Sequence, residues 1–321
     1  MNFRRCFFLL LILLVLPVHL FSQNQENTAS LRQYRLQKDI HYGRDNQNTF
    51  DLYLPNNDGA SFPLVVFFHG GSFTHGDKTK IKGQLSLASA LLDKNIAFAS
   101  VNYRYLKDND SLGVRKCMQD AVRFLQYIRY HAGEYKIEKS LIGCYGESAG
   151  AGISLYLAFH DDMAVSDLEN PVARESTRIT CAGAIATQAT YNLLRWKNII
   201  PGYRFIFFIK NKTLKKKIAN FYGFKSFKEL RPYKQNILKE LDMLDMVSPD
   251  DPPVWLCNLV TDKIKKGIPR NENQLFHHPA HAVAVAKKAR KSGVANYLIT
   301  NEKERAGEIS LETFFEKYLN R

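Results

Sequence analysis

Short apolar runs alternate with segments of helical spacing along this sequence, and that alternation constrains the fold more than any other feature. The run FPLVVFFHGG, at residues 62–71, is continuous and ends in glycine, which is typical of a strand buried on both faces of a parallel sheet. Similar runs and helical segments follow it in turn. The pattern predicts an α/β fold with a mostly parallel central sheet, helices on both faces, and reactive groups at the carboxyl ends of the strands.

The predicted elements cover most of the chain. The strands are a half-buried NTFDLYLP (48–55), FPLVVFFHGG, IAFASVNYRY (96–105), SLIGCYG (140–146), ITCAGAIAT (179–187), PVWLCNLV (253–260) and NYLIT (296–300). The helices are Leu85–Leu92, Lys116–His131, Ala149–His160, Pro279–Ser292 and Leu311–Leu319. With 321 residues, the chain has room for two domains or for one α/β domain with an inserted cap.

The first 22 residues form a signal-peptide pattern and are set apart from the fold. Arg4 and Arg5 precede an almost wholly apolar stretch, Cys6–Phe21. That stretch is short for a bilayer core of about 30 Å, although an uncleaved anchor is the alternative. We expect cleavage and export, so that residues 23–321 form a periplasmic, secreted or cell-surface domain with no stable membrane span.

Positive charge is concentrated in one segment, residues 195–239. The segment holds thirteen Lys or Arg residues against a single acid, Glu229, while the net charge of the whole chain is +14. Aromatic residues are interleaved with the cations. This mixture fits helices with buried rings and a solvated lysine face, contact with an anionic surface or ligand, or nucleic-acid binding. For an exported protein we expect no nucleic-acid partner, and the first two interpretations stay open.

Four cysteines remain after the signal segment, and none has the spacing of metal ligands. Cys144, Cys181 and Cys257 lie in apolar strand-like runs, so we expect buried thiols there. Export would also permit a disulfide, which the sequence cannot assign. We predict neither a cofactor nor a metal.

The clearest chemical motif is GESAG at residues 146–150, a G-x-S-x-G sequence centred on Ser148. An apolar strand precedes it and a helix of small residues follows it. Strand, turn and helix in that order are the setting of a nucleophile elbow, a strained turn that exposes a serine hydroxyl. The alternative is a glycine-rich turn with an ordinary serine.

A second motif, HGGSF at residues 69–73, ends the earlier apolar strand. Glycines in such a loop allow backbone N–H groups to point toward the oxyanion of a tetrahedral intermediate. The expected donors are the amides of Gly71 or Ser72, together with that of Ala149 at the start of the following helix. His69 is interpreted as a structural brace of this loop.

Five motifs in this order resemble the α/β-hydrolase superfamily, specifically the exported esterases of the hormone-sensitive-lipase and feruloyl-esterase-like (BD-FAE-like) group. They are HGGSFTHGDK (69–78), VNYRY (101–105), DAVRFLQYIRYHAGEYKI (120–137), GCYGESAGAG (143–152) and SPDDPPVWL (248–256). The resemblance implies an α/β-hydrolase fold in which the basic segment is part of a helical cap at about residues 195–247. It also implies hydrolysis of a carboxylic ester.

Site residues follow from the same resemblance. Ser148 is the nucleophile, the amides of Gly71, Ser72 and Ala149 form the oxyanion hole, and Asp262 is the acid after the PVWLCNLV strand. Relatives have a glycine-containing turn before the acid, whereas residues 258–261 here contain no glycine.

The general base does not follow the family pattern. Relatives have a histidine after the last strand, but that segment here reads NEKERAGE (301–308). The last histidine in the sequence, His281, comes before the last predicted strand. It ends an inserted segment, residues 263–281, that follows Asp262. His277 or His278 could reach Ser148 from there, because triads are defined by geometry and not by chain order.

We assign His278 as the base. One alternative is that these histidines start a helix and face solvent. Another is that His75, in the oxyanion loop, is the base. A metal site made of His277, His278 and His281 would lack a carboxylate partner.

Two functions are therefore open. One is an exported serine hydrolase that cleaves a carbohydrate-linked acyl group or a short-chain ester. The other is a catalytically impaired relative that kept the pocket as a binding module. The fold argues equally for both, because function depends on the site and not on the scaffold.

Overall fold

An eight-stranded sheet forms the centre of the described part of the chain. The computed structural model describes residues 34–320 apart from 58–60, 109, 167–168, 204–211, 260–268, 270 and 302–307. The strands are β1 (Arg35–His41), β2 (Thr49–Leu54), β3 (Phe62–Phe68), β4 (Ala97–Val101), β5 (Ile137–Glu147), β6 (Cys181–Ile185), β7 (Val254–Asn258) and β8 (Asn296–Thr300). Their order in the sheet is β1-β2-β4-β3-β5-β6-β7-β8.

Helices lie between the strands. They are α1 (Leu85–Asp93), α2 (Arg115–Tyr130), α3 (Ala132–Tyr135), α4 (Ala149–Phe159), α5 (Trp196–Ile199), α6 (Lys212–Phe221), α7 (Phe227–Glu240), α8 (Met243–Met246), α9 (Glu272–Phe276), α10 (Pro279–Lys291) and α11 (Leu311–Leu319). All strands and helices predicted above are present, and their ends differ from the predicted ones by a few residues.

Most of the sheet is parallel. The pairs from β4 through β3, β5, β6 and β7 to β8 are all parallel, whereas β1–β2 and β2–β4 are antiparallel. The mostly parallel α/β fold class is therefore confirmed. The exposed edge strand β1 is an element that the sequence analysis did not identify.

Both faces of the sheet are covered by apolar layers. In β3, Leu64, Val66 and Phe68 contribute to one buried cluster, while Val65 and Phe67 contribute to the other. This alternation follows from the two-residue repeat of a strand, and it explains why the run is apolar at every position.

Strand β2 is more deeply buried than its sequence suggested. All six residues of Thr49–Leu54 are buried, so the expectation of a half-buried strand was wrong. The reason is its place in the sheet, because β1 and β4 pair with its two edges.

Cysteine burial follows the sequence interpretation. Cys144 and Cys181 are buried and Cys257 is half-buried, in β5, β6 and β7 respectively. Together with the buried Cys117 they are thiols and not disulfides in the described part of the chain.

In the described part of the basic segment, apolar side chains are buried and several lysines are exposed. Ile218, Tyr222 and Leu230 join the main core cluster. Lys212 and Lys228, in contrast, are exposed. This arrangement is the solvated lysine face considered above, and the cap boundaries at residues 195 and 247 stay a prediction.

The predicted signal peptide, residues 1–22, lies outside the described residues. Among the helices that the structure describes, none combines the length and the apolar character needed to cross a bilayer.

Candidate active site

Ser148 stands on a sharp turn between β5 and α4. Its φ of 51° and ψ of −108° belong to a region that residues with a side chain rarely adopt. Such a conformation costs on the order of 1–3 kcal/mol and persists only where the surroundings enforce it. Here the Ser148 amide donates to the carbonyl of Ile185, at 2.9 Å, which ties the turn to the end of β6.

The two glycines of the G-x-S-x-G motif are needed because the end of β3 passes close to the turn and the two glycines themselves lie close together. A Cβ atom at Gly150 would lie 1.9 Å from the carbonyl oxygen of Phe68. A Cβ atom at Gly146 would lie 2.4 Å from the carbonyl carbon of Gly150. No side chain fits at either position, so the motif is a steric requirement of this elbow.

The predicted oxyanion loop lies beside the elbow. A Cβ atom at Gly70 would be 2.9 Å from the carbonyl oxygen of Glu147 and 3.6 Å from Cβ of Ser148. Positive φ angles at Gly71 and Ser72, 134° and 53°, turn the peptide units of the loop.

Those peptide units belong to a closed turn. The amides of Thr74 and His75 donate to the Gly71 carbonyl, which therefore points into the turn. On the other side of the serine, Ala149 is the first residue of α4, where N–H groups have no partner within the helix. Ala149 adjoins Ser148 in the chain, and Gly71 and Ser72 follow Gly70 in the loop beside it, while their role as oxyanion donors stays a prediction.

His69 is buried under this loop. Its Nδ1 lies 2.9 Å from the Gly70 carbonyl oxygen, and its ring stacks on Tyr103 with centroids 4.5 Å apart. Tyr103 in turn donates its hydroxyl proton to the His69 carbonyl, at 2.7 Å. Burial lowers the His69 pKa to about 4, so the ring is neutral at neutral pH. These contacts agree with a structural brace.

The imidazole next to Ser148 is that of His277. The distance from Ser148 Oγ to His277 Nε2 is 2.9 Å, a hydrogen-bonding distance. His277 directly follows the short helix α9 and is half-buried. Burial lowers its pKa below the ordinary histidine value, which favours the neutral ring that a general base needs.

The other nitrogen of this ring contacts an amide. His277 Nδ1 lies 2.8 Å from Oδ1 of Asn273, one turn earlier on α9. An amide oxygen can only accept, so the proton is on Nδ1 and the lone pair of Nε2 faces the serine hydroxyl. Ser148 Oγ–H therefore donates to His277 Nε2.

His278, which we assigned as the base, has a partner other than Ser148. Its Nδ1 accepts a hydrogen bond from the Ala280 amide, at 3.0 Å, and its side chain is only 1% exposed. His278 thus caps the start of α10, in which Pro279 is the first residue. The contact with Ser148 that we expected of His278 is made by His277, one position earlier.

The remaining histidines of this region have other partners. His281 is fully buried; its Nδ1 accepts from the Ala189 amide and its Nε2 donates to the Leu275 carbonyl. His75 is exposed and contacts the hydroxyl of Thr74. Among the described residues, no group of three or more His, Cys, Asp or Glu side chains is arranged to hold a metal ion.

Two amide side chains that the sequence analysis missed hold the histidine segment in place. Gln188 Nε2 donates to the Phe276 carbonyl at 2.8 Å, and Asn258 Nδ2 donates to the His278 carbonyl at 3.1 Å. Asn258 ends β7 and is fully buried, and its Oδ1 accepts from the Thr187 amide at 2.8 Å. The carboxyl ends of β6 and β7 are thus linked to the segment that carries His277.

The predicted acid, Asp262, lies outside the described residues, since positions 260–268 are not among them. Its role stays a prediction.

Apolar side chains of the basic segment approach the oxyanion loop. The Phe221 ring lies 6.1 Å from that of Phe73 and 5.3 Å from that of Tyr191. The Phe221 carbonyl also accepts from the Val114 amide, at 2.8 Å. The segment therefore packs against the loop next to Ser72.

A serine elbow at the carboxyl edge of a mostly parallel sheet, with a glycine-rich loop beside it, defines this chain as an α/β-hydrolase. The BD-FAE family model matches residues 50–278. The chain therefore belongs to the BD-FAE family, and the resemblance noted in its sequence is confirmed.

Individual relatives agree with that placement. A probable isoprenylcysteine alpha-carbonyl methylesterase of Arabidopsis thaliana is 28% identical over 159 residues, which are 50% of this chain and 32% of the relative. A kynurenine formamidase of Danio rerio is 29% identical over 119 residues, 36% of each chain. This chain spans about a third of the length of these curated relatives.

Among solved structures, a truncated form of a carbohydrate esterase from gut microbiota has a TM-score of 0.63 at 16% identity, covering 90% of this chain and 98% of that one. An acetyl ester-xyloside bifunctional hydrolase from Caldicellulosiruptor lactoaceticus has a TM-score of 0.55 at 19% identity, covering 81% of this chain and 79% of its own. Both likenesses show the fold.

Proposed function

We propose that this protein is a serine hydrolase of carboxylic esters. The observation that carries the proposal is the 2.9 Å distance between Ser148 Oγ and His277 Nε2. A serine hydroxyl is a weak nucleophile by itself and becomes effective when an adjacent base accepts its proton. The family membership and the esterases among its relatives support the same reaction class.

The residues have distinct roles in the proposed reaction. Ser148 Oγ attacks the ester carbonyl carbon while its proton moves to His277 Nε2. The negative charge that develops on the carbonyl oxygen is stabilised by backbone N–H groups of Gly71 or Ser72 and of Ala149. The imidazolium then protonates the leaving alcohol, and a water molecule, deprotonated by the same ring, hydrolyses the acyl-enzyme.

For the substrate we propose a small ester or an acyl group on a carbohydrate. The names of the structural neighbours, a carbohydrate esterase and an acetyl ester-xyloside hydrolase, support this class. The half-buried ring of Phe221, whose centroid is 6.1 Å from that of the buried Phe73, places apolar surface beside the oxyanion loop. Lysines of the basic segment would attract anionic substrates to the same side of the molecule.

We also propose that the protein acts outside the cytoplasm. The support is the signal-peptide pattern of residues 1–22, with two arginines before an apolar stretch.

A fluorophosphonate probe tests the proposed reaction directly, because it phosphonylates an activated serine. We expect stoichiometric labelling of the purified protein and none of the Ser148→Ala variant. Turnover of p-nitrophenyl acetate should fall with the same substitution. Absence of labelling, with turnover equal to that of Ser148→Ala, would instead establish the catalytically impaired relative.

A further inference from the structure

We propose that Asn273 is the positioning residue of the Ser148–His277 pair and has the role that a carboxylate has in a Ser-His-Asp triad. The inference rests on the proposed ester hydrolysis. It assigns the orientation of the base to a neutral amide on α9, the short helix that directly precedes the histidine.

The first argument is the bond itself. His277 Nδ1 donates to Asn273 Oδ1 at 2.8 Å, while Nε2 of the same ring lies 2.9 Å from Ser148 Oγ. The three side chains form a continuous chain of hydrogen bonds. A neutral ring has one N–H group, and Asn273 Oδ1 accepts a hydrogen bond from it at Nδ1, so the bond selects the tautomer that leaves Nε2 free to act as a base.

The second argument is that the local fold prepares this geometry. Asn271 caps α9 by accepting from the Gln274 amide at 2.8 Å, and the His277 amide donates to the Asn273 carbonyl at 3.0 Å. Residues four positions apart in a helix lie on one face, so Asn273 and His277 are neighbours as soon as α9 forms. Leu275 anchors the helix by packing in a buried cluster with Trp196.

The third argument concerns charge. A carboxylate at Nδ1 would favour the imidazolium and raise the histidine pKa, whereas an amide adds no charge. Burial lowers the His277 pKa, which is the direction opposite to the effect of an adjacent carboxylate. Among the described residues, the titratable side chains near His277 in the chain or next to the elbow are Glu147, Glu272 on α9, and His278 and His281 at the start of α10. Of these, Glu147 accepts a hydrogen bond from Gln84 at 2.7 Å, and Glu272 is exposed.

The pH dependence of kcat/KM separates Asn273 from Asp262 as the partner of the ring. We expect Asn273→Asp to raise the apparent pKa of the acidic limb by on the order of one unit, because a carboxylate then faces the imidazole. Asp262→Asn should leave the apparent pKa of the acidic limb unchanged. The inference would be overturned if Asp262→Asn lowered the apparent pKa of the acidic limb while Asn273→Asp left that pKa unchanged.

Loss of the acceptor should lower kcat and leave KM nearly unchanged, because a positioning residue does not bind substrate. We expect a decrease of roughly 10-fold to 100-fold in kcat for Asn273→Ala, the size of effect that a small misplacement of a reacting group produces. Asn273→Asp, which keeps an acceptor oxygen, should restore most of it. Glu272→Ala changes an exposed neighbour on the same helix and is the matched control, with wild-type kcat expected.

Nuclear magnetic resonance of the ¹⁵N-labelled histidine rings tests the tautomer without any substrate. Ring signals of His277 are assigned by their loss in His277→Gln. We expect the proton on Nδ1 in the wild type and a mixture of tautomers in Asn273→Leu. A wild-type ring with its proton on Nε2 would contradict the inference.

The two proposals fail in different ways. If the fluorophosphonate does not label Ser148, ester hydrolysis is refuted, while the tautomer measurement still decides the role of Asn273. If labelling is normal but Asp262→Asn loses far more kcat than Asn273→Ala, ester hydrolysis stands and the positioning role of Asn273 is refuted.

Discussion

Ser148 Oγ and His277 Nε2 are 2.9 Å apart, although 129 positions separate the two residues in the sequence. The serine is held by the elbow after β5, and the histidine by the segment between β7 and α10. His277 comes before the last strand, β8, and not after it, but its ring nitrogen lies at the distance from the serine hydroxyl that the proposed proton transfer requires.

The first prediction concerns the identity of the base. His277→Ala should lower kcat by about 10²–10⁴-fold, the usual contribution of a general base, with little change in KM. His278→Ala removes a helix cap and should lower the free energy of unfolding by about 1 kcal/mol. Steady-state kinetics and urea unfolding of both variants distinguish the two effects.

His41→Ala is the control for these measurements, because His41 is exposed on the edge strand β1. The His41→Ala variant should have the kcat and the free energy of unfolding of the wild type. A loss of kcat in His278→Ala as large as in His277→Ala would contradict the assignment.

The second prediction is a loss of stability in mild acid. His69 and His281 are buried and neutral, with pKa values lowered by burial to about 4 and about 3. In the unfolded chain both rings titrate near pH 6.5. Their contribution to stability is therefore complete above about pH 6.5 and is lost as the pH falls toward the folded-state values, because only the unfolded chain then binds the extra protons.

Near pH 5, the two rings should make the free energy of unfolding fall by up to about 2–3 kcal/mol per pH unit. Urea unfolding between about pH 7 and pH 5 measures this slope. His281→Gln removes one of the two titrating rings and should reduce the slope by about one proton, or 1.4 kcal/mol per pH unit. An identical slope in the variant would show that His281 does not contribute.

The third prediction tests the steric origin of the G-x-S-x-G motif. Gly150→Ala places a Cβ atom where the Phe68 carbonyl oxygen lies 1.9 Å away, so the elbow or β3 must shift. We expect a loss of at least about 3 kcal/mol in stability, since the clash is with the backbone at the end of β3 and not with a flexible side chain. Thermal unfolding measures the loss.

Gly133→Ala provides the matched control within α3. No atom lies within 4 Å of a Cβ added there, so alanine should be neutral or stabilise by about 0.4–1 kcal/mol. If Gly150→Ala were as stable as Gly133→Ala, the motif would need an explanation other than close backbone contact.

Local patterns in the sequence were sufficient to predict most strands and helices, the elbow serine and the loop beside it. Each depends on a short stretch of residues, such as the continuous apolar run of β3 or the small residues after Ser148. Edge strand β1 was missed because RLQKDIH carries little apolar alternation, and it forms by pairing with β2.

The sequence narrowed the candidate base to two adjacent histidines, and the one that we assigned, His278, is not the one that contacts Ser148. The choice depends on α9, a helix of five residues that the analysis did not predict. One signal was available: Asn271 followed three residues later by Gln274 is a helix-start pattern, and it puts Asn273 and His277 on one helical face.

The last prediction concerns Asn258, which ends β7 and connects it to the histidine segment. Its side chain accepts from the Thr187 amide and donates to the carbonyls of Thr187, at 2.9 Å, and His278, at 3.1 Å. Asn258→Ala leaves these buried groups without partners, so we expect a loss of about 2–4 kcal/mol in stability. Because the His278 carbonyl is one residue from His277, kcat should fall as well, by roughly tenfold or more.

Asn296→Ala is the control variant that separates the loss of stability from the loss of kcat. Asn296 begins the neighbouring strand β8, at the opposite end of the parallel pair from Asn258, and its side chain donates to the Val294 carbonyl at 3.0 Å. Removing it should lower stability and leave kcat unchanged. Urea unfolding and single-turnover kinetics on both variants give the two quantities. Equal decreases in kcat would mean that Asn258 acts only through the stability of the sheet and does not position the histidine segment.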